Sequence, residues 1–301
     1  MSTAHSLAYS PCHITGFFRI HDYYQEPAKV GSTGAGVSLE QGVLTKVSVK
    51  RASRQKVTTR IDGKPSKDLT VSTLVVREYA RRDRGSWNIT VSHLSMLPIG
   101  SGYGTSGAGA LGLSLALNEA MGDPVSKLEA ARIAHEAEVN SKTGLGTVIA
   151  VFHGGLVVRL KPGAPSIGKI RKLAVSKFER IVSGSFGPIY TPSILSRNDL
   201  RSRVNLCGER LVGRLLNRPN ANTFLSLSRH FAECLNLMTP RLRRLVKLMD
   251  SEDICSSMMM IGEAIFSIVH EDRIAAVARL IKRAGITPVI SRIEPAGAHL
   301  L

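Results

Sequence analysis

The chain has 301 residues, with 40 Lys and Arg against 23 Asp and Glu for a formal charge of +17, and 43% of its residues are hydrophobic. That length supports one large or two ordinary domains without metal or disulfide staples, and a charged fraction of 21% excludes a disordered chain. No apolar run reaches the roughly 18–20 residues of a membrane helix, since Thr147 to Leu160 is broken by His153, Gly154, Gly155 and Arg159. No basic-then-apolar leader opens the chain, so a cytoplasmic protein with no membrane partner is expected. Cys12, Cys207, Cys234 and Cys255 form no C-x-x-C pair, and reduced thiols are expected. The basic surplus is spread from Lys46 to Lys247 without an aromatic stripe, zinc finger or GXXG clamp. No specific nucleic-acid partner is expected, and an anionic small-molecule substrate suits the charge better.

In chain order, residues 1–97 read as short strands with turns: Val43 to Val49 alternates, Ile61 to Pro65 turns, and Trp87 to Leu94 alternates again. Leu69 to Arg82 carries Leu69, Thr73, Val76 and Ala80 at helical steps. Ala108 to Met121 is the next helix, stopped by Gly122-Asp123-Pro124, and Ser126 with Glu129 is a capping box that opens another through about Asn140. Gly144 and Gly146 turn the chain into the apolar stretch Val148 to Val158. Lys161-Pro162-Gly163-Ala164-Pro165 is the strongest linker signal, which divides the chain into domains 1–163 and 164–301. Helical patterns follow at about 194–218, 222–237 and 240–249, then a strand at Ile265 to Val269, a helix from Asp272 to Ala284 and a strand at Pro288 to Ile293. That order suits an α+β domain.

Pro98-Ile99-Gly100-Ser101-Gly102-Tyr103-Gly104-Thr105-Ser106-Gly107-Ala108-Gly109 lies between a strand and a helix. Free amides and the positive dipole end at such a helix start bind phosphate, and missing Cβ atoms let oxygens approach the backbone. The hydroxyls of Thr105 and Ser106 add a donor and a magnesium ligand. Gly102-x-Gly104-x-x-Gly107 also meets the dinucleotide fingerprint, but Pro98 breaks the strand early and a second helix from Ser126 replaces the expected strand. A Walker A loop is excluded because no Lys follows the glycines. The alternative is a glycine turn that packs a helix closely on a sheet.

Pro98 to Gly107 resembles the second motif of the GHMP kinase superfamily, Pro-x-x-x-Gly-Leu-Gly-Ser-Ser-(Ala/Gly), with Tyr103 for Leu and Thr105 for the first Ser. Ser10 to Phe18, Glu26 to Val37, Ala134 to Val139 with Gly144-Leu145-Gly146, and Ser256 to Gly262 resemble archaeal pantoate kinases, so the similarity spans about residues 8–293. The resemblance implies an α+β GHMP kinase fold, with an N-terminal domain like domain 2 of ribosomal protein S5 and a ferredoxin-like C-terminal domain. It implies ATP- and Mg²⁺-dependent phosphorylation of (R)-pantoate to 4-phosphopantoate in archaeal coenzyme A synthesis. Carried over, Gly102, Gly104, Thr105, Ser106, Gly107 and Ala108 hold the triphosphate. Ser106 and Glu136 ligate Mg²⁺, and His13 lines the transferred phosphoryl group or the substrate. A homodimer is compatible with the sequence.

Single residues keep plainer alternatives. Glu136 stands four residues after Arg132 and suits an exposed ion pair, and His13 suits a satisfied core histidine. Glu138 faces another side of that helix and reads as structural. Where pantoate kinases usually carry Asp after Gly-Leu-Gly, this chain has Thr147, which cannot accept a proton at neutral pH. That leaves a base-free route, a substitute such as His13, or weakened activity. The other functional readings are a different GHMP-type kinase acting on a hydroxy acid or a homoserine-like alcohol, and a non-catalytic basic binding protein on the same scaffold.

Overall fold

A computed structural model describes residues 2–66, 70–83, 85–188, 198–260 and 262–301. Two long antiparallel strands, β1 (Ala4–His21) and β2 (Gly31–Arg51), form its backbone, with register running from Ala4↔Val49 to His21↔Gly31. The register is interrupted between Pro11 and Cys12 and between Thr15 and Phe17, so His13 lies in the segment between two irregularities, opposite Ser38. Bulges of this kind re-aim side chains next to functional sites.

β2 forks. Its second half, Val43–Arg51, pairs with β5 (Trp87–Ser95), and its first half pairs with β6 (Leu156–Lys161), placing Arg159 opposite Gly34. β3 (Lys56–Ile61) runs parallel to β5 and carries β4 (Lys64–Pro65) at its edge, while β7 (Lys169–Leu173) joins β6. Helices α1 (Thr70–Asp83), α2 (Thr105–Ala120), α3 (Lys127–Asn140) and α4 (Thr147–His153) complete this half. From Gly107 to Asn118 every residue of α2 is buried, and the Ala, Gly and Leu of that stretch let sheet and helices close around it. Its core joins Val47, Ile89 and Val91 to Leu111, Leu115, Ala130 and Ala134.

The second sheet has the order β11-β8-β10-β9, made of β8 (Glu179–Pro188), β9 (Ser257–Met258), β10 (Gly262–His270) and β11 (Val289–Ser291). Helices α5 (Asn198–Gly208), α6 (Leu211–Asn217), α7 (Ala221–Leu235), α8 (Pro240–Asp250) and α9 (Ile274–Arg283) accompany it. Asn220 and Thr239 cap α7 and α8 through side-chain oxygens, and Pro240 sits at the start of α8 where its missing N–H costs nothing. The core of this half runs without a break into the β1–β2 sheet, through Phe17 and Phe18 packed on Phe224 and Phe231.

Trp87 to Leu94 forms a strand as expected and Val43 to Val49 is the alternating end of a 21-residue strand, while the 18-residue strand before it carries no simple alternation because both its faces are covered. Helices and capping box fall where the patterns put them, with Ser126 Oγ accepting the Glu129 amide. Leu69 and residues 194–197 of the expected helices, and Arg84 and Ile261, lie outside the described residues. Sheet membership changes after Leu173, and β12 (His299–Leu300) returns to pair with β1, so the linker at 161–165 does not separate the sheets.

Cys207 and Cys234 form a disulfide between α5 and α7 across 27 residues, against the expectation of reduced thiols, while Cys12 and Cys255 are free. Chain spacing hides this pair, since two helices must pack before the thiols meet. Closing a loop of that length is worth about 3 kcal/mol in the chain-entropy account, so reductant is expected to lower the melting temperature by roughly 5–10 °C. Scanning calorimetry with and without dithiothreitol checks this, and an unchanged transition contradicts it.

Candidate active site

The segment after β5 needs its glycines. Gly100, Gly102 and Gly104 have φ of 76°, 88° and 64°, a region that favours residues without Cβ. Gly104 is the N-cap of α2, and the Ala108 amide donates to the Gly104 carbonyl at 3.1 Å, which leaves Thr105, Ser106 and Gly107 with free helix-start amides. A Cβ on Gly102 would crowd Met259, and one on Gly262 would overlap the Ser101 carbonyl. Met259 and Gly262 therefore prop the glycine loop from behind. Tyr103 fastens the loop to β8 through Ser183 Oγ at 3.1 Å.

The loop opens onto a cleft of about 920 Å³, lined by His13, Gly102, Gly104, Thr105, Ser106 and Thr147 among the expected residues. Gly107 and Ala108 are not on its wall. Gly107 packs against Thr147, and Ala108 lies in the hydrophobic core with its amide already used, so Ala108 does not fit a role in holding phosphate.

The largest correction concerns the carboxylate. Glu136 Oε1 accepts from Arg132 Nε at 2.8 Å, one turn away on the outer side of α3, and its side chain is 27% exposed. Glu138 is the residue that meets the loop. Its Oε1 accepts Ser106 Oγ at 2.5 Å and Thr143 Oγ1 at 2.7 Å, and it is 2% exposed. Burial raises its carboxyl pKa, and no Lys or Arg among the described residues pairs with it. Gly144 is glycine because a Cβ there would overlap Glu138 Oε2. Glu138 lies four residues after Ala134 and eight after Ala130, on the buried stripe of α3, and a carboxylate on such a stripe is the signal that identifies it.

Sequence reasoning also passed over Arg159. It is 1% exposed, lines the cleft, and has Nε and Nη1 without a hydrogen-bond partner. Desolvation pushes its pKa down to about 10. A Cβ on Gly146 would lie 2.7 Å from Arg159 Nε, so Gly144 and Gly146 make room for opposite charges. The signal was a lone Arg in the apolar run Leu156-Val157-Val158-Arg159-Leu160. His13 is 1% exposed, with Nδ1 3.5 Å from Ser38 Oγ and Nε2 unpartnered. Desolvation first, then Arg159, holds its pKa well below the usual histidine value. Far along the cleft, His93 is held between Thr45 Oγ1 at 2.9 Å and Ser72 Oγ at 3.3 Å, and burial lowers its pKa to about 4. Hydroxyls of Thr70, Ser72 and Ser95 line that end, and Asp62 is close enough to His93 to oppose the effect of burial.

Such a cleft has free helix-start amides and a buried carboxylate at one end, and a buried cation with no protein counter-ion among the described residues. Residues 71–155 match the model of the GHMP kinases N terminal domain. The pantoate kinase of Thermococcus kodakarensis is 32% identical over 290 residues, covering 95% of each chain. The chain belongs to the pantoate kinase family of GHMP kinases. The pantoate kinase of Methanospirillum hungatei is 32% identical over 271 residues, covering 89% of each chain. A solved structure described as a phosphotransferase related to the CoA biosynthesis pathway superposes with a TM-score of 0.90 at 30% identity, covering 99% of this chain and 98% of that one. As a pantoate-kinase-family member the protein is an α+β enzyme of GHMP kinase fold that transfers phosphate to an alcohol. No helix among the described residues is long and apolar enough to cross a membrane.

Proposed function

We propose that this pantoate kinase family member transfers the γ-phosphoryl group of ATP to the terminal hydroxyl of (R)-pantoate, giving 4-phosphopantoate, with Mg²⁺ held by Ser106 and Glu138. The observation that carries the substrate is Arg159: a buried guanidinium with two unpartnered nitrogens and no acidic partner among the described residues is costly by itself and suits a bound carboxylate. The donor set fits magnesium. Ser106 and Glu138 offer oxygen only, and the buried carboxylate lacks a cation.

The free amides of Thr105, Ser106 and Gly107 cradle the phosphates, and the dipole of α2 favours their charge. The hydroxyl-rich end around His93 and Ser72 suits a nucleobase. Arg159 fixes the substrate carboxylate so that its far hydroxyl reaches toward the phosphate end. The magnesium ion, when bound, neutralises charge on the transferring phosphoryl group. Phosphoryl transfer through a loose transition state asks the protein mainly for such positioning.

A panel of hydroxy acids and amino alcohols with ATP and Mg²⁺, read as ADP release, tests the reading. Turnover should be highest with (R)-pantoate, and preference for a homoserine-like alcohol contradicts it. Thr147 touches the loop through its methyl group, 2.9 Å from where a Gly104 Cβ would lie. Thr147→Val keeps that shape and is expected to lower kcat about tenfold or less in the same assay. A loss of about 10³-fold would assign the Thr147 hydroxyl to the chemistry.

A further inference from the structure

The pantoate reading leaves one step without a residue, the removal of the proton from the attacking hydroxyl. Three side chains at the phosphate end bear on it. Thr147 has no basic atom. Glu138 already accepts hydroxyls from Ser106 and Thr143 and serves the metal in the reading above. His13 is the remaining one, and one of its ring nitrogens has no hydrogen-bond partner.

His13 is held on β1 by its own amide, which donates to the Tyr103 carbonyl at 2.8 Å. Gly104 packs directly on it, since a Cβ there would lie 2.9 Å from the His13 carbonyl oxygen and 3.5 Å from its Cβ. The residue thus touches the start of α2, where the phosphates bind. Ser38 Oγ lies 3.5 Å from Nδ1 and can accept a hydrogen bond from it in the tautomer that has the lone pair on Nε2. Gly36 lies under that nitrogen, where any Cβ would overlap it. Nε2 is buried and unpartnered, and His13 is one of the residues that line the cleft.

We propose that His13 Nε2 is the proton acceptor of this enzyme, the catalytic base for the substrate hydroxyl; the proposal rests on the kinase reading of the cleft. As the hydroxyl oxygen bonds to the γ-phosphorus, the bond from that phosphorus to the β,γ-bridging oxygen breaks, and its electron pair leaves with ADP. The hydroxyl proton passes to Nε2 and returns to solvent when product departs. The charged group facing His13 is Arg159 on β6; Gly36 and Ser38 on β2, and Gly104 in the loop, carry no charge, and the Tyr103 phenol is turned to Ser183. A substrate carboxylate seated on Arg159 removes the opposing charge, so His13 gains basicity when the cleft fills.

His13→Ala and His13→Gln test this. With (R)-pantoate, kcat should fall about 10²- to 10³-fold in both, with KM changed less than about threefold. His13→Ala leaves an imidazole-sized space on the cleft wall, so added imidazoles should restore turnover in the order of their basicity. His13→Gln keeps a polar acceptor without a base, and its melting temperature controls for folding. Turnover within threefold of the unaltered protein in either variant, or a loss in His13→Ala that imidazoles do not repair, overturns the proposal. Pantoate turnover by the unaltered protein is measured first. Its absence contradicts the substrate reading, and the imidazole series then uses the alcohol that the panel identifies, so the two failures are distinguishable.

Discussion

Glu138→Gln is expected to lower kcat by about 10²- to 10³-fold, whereas Glu136→Gln leaves it within about threefold. The two carboxylates are two residues apart on one helix, and the helical phase separates their fates. Glu136 forms a half-exposed pair with Arg132 on the outer side of the helix, an interaction worth only about tenths of a kcal/mol. Glu138 is buried against Ser106 and Thr143, and the amide variant keeps its shape while losing the charge that a divalent cation requires. Ser106→Ala should resemble Glu138→Gln, and both should raise the Mg²⁺ concentration for half-maximal rate. Because burial raises the Glu138 pKa in the empty cleft, protonation competes with the metal, and apparent Mg²⁺ affinity should fall as pH drops toward that raised value. Steady-state kinetics across Mg²⁺ and pH check both statements, and a Glu136 variant with the larger loss contradicts them.

Arg159→Met should move function and stability in opposite directions. Pantoate KM is expected to rise about 10²-fold or more, because a charge-assisted carboxylate contact inside a water-poor cleft is lost. The melting temperature should stay the same or rise, because the native side chain is a buried cation with unpartnered Nε and Nη1, and methionine fills much of the same volume without that desolvation cost. The depressed Arg159 pKa has the same physical origin. Saturation kinetics and calorimetry on one preparation read both quantities. A large drop in melting temperature with unchanged KM would make Arg159 a structural residue.

The legible parts of the chain were those where local chemistry decides. Gly100, Gly102 and Gly104 mark a loop that only residues free of Cβ form readily, and Ser126 with Glu129 marks a helix start from four residues of sequence. The phosphate end of the site followed from the first of these. What escaped was decided by tertiary contact. The stretch from Ala4 to His21 lacks alternation because both its faces are covered, and β8 was missed because Ser183, Gly184, Ser185 and Gly187 weaken its pattern. Glu138 and Arg159 carry the charges of the site from buried positions, where each stood out as one ionisable residue on an apolar stripe or run. Resemblance placed the metal on Glu136, two positions from the carboxylate that the helix turns toward the loop.

Phosphorus NMR of a reaction of the unaltered protein with ATP, Mg²⁺ and (R)-pantoate tests the central claim most directly. The account predicts a new phosphomonoester signal split by the two protons of the terminal CH₂, formed in step with ADP. A signal split by the single proton beside the carboxylate, or ADP release with no phosphomonoester, would contradict it.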